Sequence, residues 1–136
     1  MYTHKVQYYE TDKMGITHHS NYIRWMEEAR IDFLETHGWN YARLEENGII
    51  SPVVSVSCKY KKPTSFADKI KIDVIIKDFN DAFLTVGYKM SKSETLICEA
   101  ESVHGFMNAQ GRIIRISREQ PEFAACLENA KHMTDA

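Results

Sequence analysis

The hydrophobic positions of the chain follow two periods. Between residues 20 and 37, Tyr22, Met26, Ala29 and Phe33 recur at spacings of four, three and four, which is one apolar stripe on a helix. Ile23, Arg30 and Leu34 flank the stripe, Trp25 widens it, and no proline or glycine interrupts it. Ser20 or Asn21 is placed to cap its start, and Gly38 to end it. An apolar face this broad predicts a helix wrapped by a sheet. Residues 39–47 predict a short second helix ending at Gly48.

After Gly48 the period becomes two. Val54, Val56, Cys58 and Tyr60 alternate with Ser55, Ser57, Lys59 and Lys61 until Pro63 stops the run. Ile70, Ile72, Val74 and Ile76 make a second strand, Asn80-Asp81 a turn, and Leu84, Val86, Tyr88 and Met90 a third strand. A turn over 91–94 leads to a long strand, 95–107, whose mixed parity points to a bulge near Val103. Asn108-Ala109-Gln110-Gly111 predicts a hairpin turn, Arg112–Ile116 a short last strand, and residues 121–131 a helix with Pro121 in its first turn. Ahead of the long helix, Tyr2, His4, Val6 and Tyr8 share a parity and predict a strand over 2–8, followed by a loop. The order is strand, helix, short helix, five strands, helix. Consecutive strands joined by short turns favour an antiparallel sheet, and one long helix must cover a face of it. The class is α+β, in a single domain spanning 1–136.

Composition narrows the partners. The 136 residues are 43% hydrophobic and 26% charged, with a net charge of −2, an ordinary globular balance. No basic patch marks a nucleic-acid binder. No apolar run is long enough to span a membrane, and no leader pattern opens the chain, so neither nucleic acid nor membrane is an expected partner. Three distant cysteines, Cys58, Cys98 and Cys126, indicate neither a disulfide framework nor a zinc site. Reduced thiols in a cytoplasm are the expectation.

The polar loop carries the candidate chemistry. Between Tyr8 and Tyr22 it gathers Glu10, Asp12, Gly15, His18 and His19 immediately before the helix start. An Asp ahead of a helix is ordinarily a turn or cap residue, so spacing alone leaves catalysis a minority reading. Three stretches change this: Val6-x-Tyr8-Tyr9-Glu10-Thr11-Asp12-x-x-Gly15-Ile16-x-x-His19-x-x-Tyr22, then Trp25-Met26-Glu27-Glu28-Ala29-Arg30, and Tyr60-x-x-Pro63-x-x-x-x-Asp68. Together they resemble the 4-hydroxybenzoyl-CoA thioesterase family of acyl-CoA thioesterases, over nearly the whole chain. The resemblance implies the hotdog fold, a curled antiparallel β-sheet wrapped around a long central α-helix. It implies Asp12 as the catalytic carboxylate and the backbone N–H at His19 as the donor polarising the thioester oxygen. It also implies sites at a subunit interface, with sheets joined edge to edge, hence a homodimer or homotetramer.

The chemistry agrees with so sparse a site. A carboxylate can attack a thioester carbonyl or serve as general base for water. A helix N-terminus offers unpaired N–H groups to the developing oxyanion. A thiolate leaves readily, so no cofactor is expected, coenzyme A being part of the substrate. The expected substrate-binding set is Gly15, Ile16, His18, Tyr22, Lys61 and Pro63; Gly15 reads chiefly as a backbone requirement, and Tyr22 and Met26 are more often core. Glu10 reads as a solvated or structural neighbour. Glu27 and Glu28 read as a solvated face or as partners of Arg30 or Arg24. Lys59, Lys61 and Lys62 are either a solvated strand edge or an attraction for phosphate. Cys58 and Cys98 share parity with apolar residues and read as core. In one respect the sequence departs from the resemblance: the turn where 4-hydroxybenzoyl-CoA members place a basic cluster for the nucleotide reads Phe79-Asn80-Asp81-Ala82. A carrier-protein thioester and a non-catalytic thioester-binding module are the alternatives. A dehydratase lacks its motif here, and a metal site on Asp12, His18 and His19 lacks a ligand at helix spacing.

Overall fold

The computed structural model describes residues 1–131; residues 132–136, the end of the expected 1–136 unit, lie outside the described residues. The elements are β1 (Tyr2–Lys5), α1 (Ser20–Thr36), α2 (Tyr41–Glu46), β2 (Val53–Tyr60), β3 (Lys69–Phe79), β4 (Phe83–Lys92), β5 (Thr95–Gly105), α3 (Ile116–Glu119) and α4 (Pro121–Ala130). A 3-10 turn, Tyr8–Glu10, stands between β1 and the loop. The strands form one sheet in the order β1-β3-β4-β5-β2, antiparallel throughout.

The period-two pattern decides which face is inside. Ile70, Ile72, Val74 and Ile76 of β3 are all buried, and they stand level with Met90, Tyr88 and Val86 of β4 across the ladder. Next along, β5 brings Cys98, Ala100 and Ser102 to the same row. Against this face α1 lays Tyr22, Trp25, Met26, Ala29, Phe33 and Leu34, all buried. Burial of each large apolar side chain stabilises the fold by about 1.5–3 kcal/mol, and these residues join α4's Phe123 and Leu127 in one core cluster. Register shifts at Val53/Ser55, Ile76/Asp78 and Met90/Ser91 add local twist and help curl the sheet around α1. The result is the α+β architecture expected, with the long helix spanning 20–36 against an expected 20–37.

Four expectations need correction. The first strand ends at Lys5 rather than residue 8. Val6 still exchanges backbone bonds with Ala67 and Asp68, but Gln7 and Glu10 then close a capping box that turns the chain into the 3-10 helix. Arg112–Ile116 is not a strand. Beyond the 108–111 turn only an isolated bridge, Met107 to Ile113, forms. The chain then enters α3, because the Ser117 N–H and hydroxyl donate to the Asp81 carboxylate at 2.6 and 2.7 Å. Four strands therefore follow the helices, not five. The bulge near Val103 exists, but its extra residue, Val54, is on β2. Neither Ser20 nor Asn21 caps α1. The N-cap position is His19, and the ring of His18 accepts the Ser20 N–H at 3.3 Å.

Candidate active site

The loop between the 3-10 turn and α1 folds back on itself. Thr11 bridges Thr17, the Asp12 N–H donates to the Ile16 carbonyl at 2.8 Å, and the His18 N–H donates to the Glu10 carbonyl at 2.8 Å. Gly15 makes the reversal at φ +80°, a region a side chain disfavours, and its N–H donates to the Asp12 carbonyl at 3.0 Å. Ile16 bridges Ser65, and the Thr17 N–H donates to the Thr64 carbonyl at 2.8 Å, pinning the loop to the segment between β2 and β3. Behind it lies a buried hydroxyl cluster: Thr64 donates to Thr17 at 2.7 Å, and the Tyr22 hydroxyl lies 3.0 Å from Thr64.

The two carboxylates of the loop have different surroundings. Glu10 is buried at 4% exposure. It accepts from the Gln7 N–H at 2.8 Å and the Trp25 indole N–H at 2.8 Å, and lies 2.9 Å from His4 Nε2. Burial pushes its pKa up, but the hydrogen bonds from Gln7, His4 and Trp25 outweigh this and hold it below the usual carboxylate range. Glu10 is thus a structural neighbour, not a solvated one. Asp12 is half-buried, and one carboxylate oxygen accepts the Met14 N–H at 2.8 Å. Its other oxygen has no partner among the described residues. It borders an open depression of about 900 Å³ together with Tyr8, Tyr9, Lys13, His18, Ser20, Asn21 and Arg24.

His19 sits at the head of α1. Its carbonyl accepts the Tyr22 N–H at 3.2 Å and the Tyr60 hydroxyl at 3.3 Å, while its own N–H meets no acceptor among the described residues. The His18 and His19 rings stack at 4.4 Å. Of the expected substrate-binding set, His18 lines the depression. Gly15 and Ile16 shape the loop, Tyr22 is core, and Lys61 and Pro63 are exposed beyond the end of β2, outside the depression. Glu28 pairs with His4 at 3.1 Å and Tyr2 at 3.0 Å, rather than with Arg24 or Arg30. Sequence reasoning missed Lys13 and Arg24 as cations beside Asp12; the available signal was Arg24 standing one helical turn from Ser20. Cys98 is buried, and the half-buried Cys58 thiol lies 3.6 Å from Met26 Sδ. Contact with Cys98 draws the Cys58 thiol down and pushes Cys98 up, but neither borders the depression. Among the described residues, no group of three His, Cys, Asp or Glu side chains is placed to hold a metal.

Comparisons with known proteins identify the family and the fold. The family profile described as Thioesterase-like superfamily matches residues 6–127. The chain belongs to this superfamily. A relative from Aquifex aeolicus (strain VF5), assigned as an esterase, is 34% identical over 119 residues, covering 88% of this chain and 92% of that protein. YneP of Bacillus subtilis (strain 168), assigned as an acyl-CoA thioesterase, is 32% identical over 129 residues, covering 93% and 94%. The solved structure of DHNA-CoA thioesterase from Staphylococcus aureus matches with a TM-score of 0.91 at 28% identity, covering 94% of this chain and 87% of that one. The thioesterase-like chain therefore has the hotdog fold, as the motif resemblance implied. It is an enzyme of the acyl-CoA thioesterase kind, and its class of reaction is thioester hydrolysis. No helix of the described residues is long and apolar enough to cross a membrane.

Proposed function

We propose that this chain cleaves an acyl-CoA or aroyl-CoA to the free acid and CoA at the Asp12–His19 loop. Asp12 acts as nucleophile or as general base for water, and the His19 N–H polarises the thioester carbonyl. As general base, Asp12 takes a proton from water while the water oxygen bonds the carbonyl carbon. The C–S bond then breaks, and the departing thiolate takes up the proton. As nucleophile, the Asp12 carboxylate bonds the carbonyl carbon and the C–S bond breaks, giving a mixed anhydride and the CoA thiolate; water then opens the anhydride to the free acid and Asp12, and the proton left on Asp12 passes to the thiolate. The observation that carries the reading is that one closed loop holds a carboxylate with a free oxygen and a helix-start N–H without an acceptor. Such a donor, aimed at a developing oxyanion, is worth about 2.7–4 kcal/mol of barrier.

Lys13 and Arg24 border the same depression and supply positive charge for the phosphates of CoA, in place of the Phe79-Asn80-Asp81-Ala82 turn, which carries no basic residue. Lys61, with Lys59 and Lys62, adds to it from the end of β2. Gly15, Ile16, His18 and Pro63 shape the entrance, and Tyr22 supports it from behind. The chemistry needs no cofactor, because the thiolate is already a good leaving group. The proposed setting is a cytoplasm, where reduction keeps Cys58, Cys98 and Cys126 as free thiols. The proposed assembly is a homodimer or homotetramer. β2 is an edge strand, and Val53, Val54, Tyr60 and the nearby helix residue Ile23 are exposed, a combination that favours pairing with a second copy. Light scattering reads that state directly.

The test is release of free thiol from a panel of chain-length and aroyl-CoA thioesters. Turnover of at least one member is expected. Asp12→Asn is expected to lower it by about 10²–10⁴-fold while thioester binding persists. Activity that survives Asp12→Asn overturns the assignment of Asp12. No turnover on any member favours a non-catalytic thioester-binding module.

A further inference from the structure

The head of α1 carries four N–H groups, from His19 to Tyr22, and three of them are taken. The Ser20 N–H donates to the His18 ring at 3.3 Å, the Asn21 N–H to the His18 carbonyl at 3.1 Å and the Tyr22 N–H to the His19 carbonyl at 3.2 Å. Among the described residues, the His19 N–H is the one left over. A helix start ordinarily leaves several donors open. Here the opening is narrowed to one, so the direction of that one decides what it can do.

The direction is set one residue earlier. A peptide group is planar and trans, so the His18 carbonyl and the His19 N–H lie in one plane and point opposite ways. Whatever holds the carbonyl aims the N–H. The Asn21 side chain does this: its Nδ2 donates to the His18 carbonyl at 3.2 Å and to the Glu10 carbonyl at 3.0 Å. Both partners are acceptors, which fixes the amide with its N–H₂ end inward. The Glu10 carbonyl also takes the His18 N–H at 2.8 Å, and Glu10 is anchored by its buried side chain on Trp25 and Gln7. The amide thus ties the His18–His19 peptide to a fixed point outside the helix. Without it, the His18 carbonyl keeps only the Asn21 N–H, a bond within the same turn that moves with the turn. The His19 carbonyl, held by Tyr22 and Tyr60, belongs to the next peptide plane and does not aim this N–H. A donor on a peptide carbonyl also polarises the group and strengthens the N–H on its other side.

We infer that Asn21 is the positioning residue of the oxyanion donor: its amide, bridging the Glu10 and His18 carbonyls, aims the His19 N–H at the thioester carbonyl. The inference rests on thioester hydrolysis at the loop and adds the residue that orients the donor. Asn21 borders the depression, but its two amide hydrogens are spent on the loop. Its effect belongs to the step in which the carbonyl oxygen gains charge, and therefore to kcat more than to KM.

The first arm of the test is kinetics on the thioester panel. Alanine suits a helix, so Asn21→Ala keeps the fold. Its expected loss is about 10–100-fold in kcat, with KM within about threefold of wild type. Asn21→Asp keeps the size of the side chain but sets a carboxylate against two carbonyl oxygens, and it should lose at least as much. A raised KM with unchanged kcat makes Asn21 a substrate contact and overturns the inference, as does full activity in both variants. The second arm reads the donor itself. Octanoyl-CoA and benzoyl-CoA, isotopically labelled at the thioester carbonyl carbon, are bound to Asp12→Asn, and the carbonyl stretch is followed by infrared difference spectroscopy. The stretch is expected at lower wavenumber than in solution. Most of that displacement should vanish when Asn21→Ala is added to Asp12→Asn. A displacement that survives leaves the donor in place and overturns the part given to Asn21. No displacement in Asp12→Asn alone overturns the His19 donor, and the inference with it. If the wild type turns over no thioester, yet the displacement is present and depends on Asn21, the hydrolytic reading falls and the inference stands. If neither thioester binds, both fall.

Discussion

Glu10 and Asp12 are two residues apart on one loop, and they are used in opposite ways. Glu10 is buried, with both oxygens engaged by the Trp25 indole, the Gln7 N–H and His4. Its carbonyl also takes the His18 N–H and the Asn21 amide. It ties β1, the 3-10 turn and α1 to one another. Asp12 gives one oxygen to its own turn, leaves the other without a partner among the described residues, and borders the depression. A buried carboxylate with both oxygens already engaged has little capacity left for a substrate or a water. The loop therefore divides the work: one acid fixes the geometry, and the other is left free within it.

The sharpest way to break this division is to neutralise each acid in turn. Asp12→Asn keeps an oxygen that can accept the Met14 N–H, so its stability should stay within about 0.5 kcal/mol of wild type, while hydrolysis falls by the two to four decades given above. Glu10→Gln should do the reverse. It places an amide N–H₂ against donors that need acceptors, at a cost of about 2–4 kcal/mol, read by urea denaturation. Its folded molecules should retain activity well above that of Asp12→Asn. If the two variants exchange these phenotypes, Glu10 is the working acid.

Acid pH tests the same point with Asp12 left unchanged. Hydrogen bonds hold Glu10 below its unfolded value in the native state. Its contribution to stability is then fully present above the unfolded carboxylate range and is lost as pH falls through the folded pKa. Wild type and Glu10→Gln should differ most near neutral pH and converge as the solution is made acidic. A gap that stays constant down to strongly acid pH is incompatible with a charged, hydrogen-bonded Glu10.

Much of this arrangement is legible along the chain, and the illegible parts share a cause. The Tyr22, Met26, Ala29, Phe33 stripe marks α1, and the four alternating residues from Ile70 to Ile76 mark β3, because burial follows local period there. Asp12 is recognisable because its motif is local too. Arg112–Ile116 misleads, since its alternating isoleucines look like a strand; Ile113 is 75% exposed, and Asp81, far back in the chain, takes Ser117 into a helical turn. The burial of Glu10 depends on Trp25 and His4, which no spacing connects. Arg24 beside Asp12 requires the loop's fold to be known, as does the Asn21 amide between the Glu10 and His18 carbonyls.

A smaller effect is expected at the hinge of the loop. Gly15 has φ +80°, and a Cβ built on it meets nothing within 4 Å. The whole cost of Gly15→Ala is therefore conformational, about 1–2 kcal/mol if the turn is kept. The chain can relieve it by opening the turn that holds Asp12. The expected signature is a kcat that falls several-fold with a loss of stability no larger than that range. Unchanged kcat with the full loss of stability would show that Asp12 does not depend on the turn.

The smallest effect is expected on the other side of the helix head. The Tyr60 hydroxyl donates to the His19 carbonyl at 3.3 Å, and its ring stands edge-on to Tyr22 at 5.0 Å. The carbonyl also receives the Tyr22 N–H, so the His19 peptide keeps its orientation when the hydroxyl is removed. Tyr60 is 46% exposed, and water replaces its bond. Tyr60→Phe should cost about 0.5 kcal/mol, the low end for a solvent-accessible hydrogen bond, and leave kcat/KM within a factor of about three. A loss approaching that of Asp12→Asn has no source in so weak a bond. It would place the phenol in contact with the substrate, and the division of labour between Glu10 and Asp12 would then need a third member.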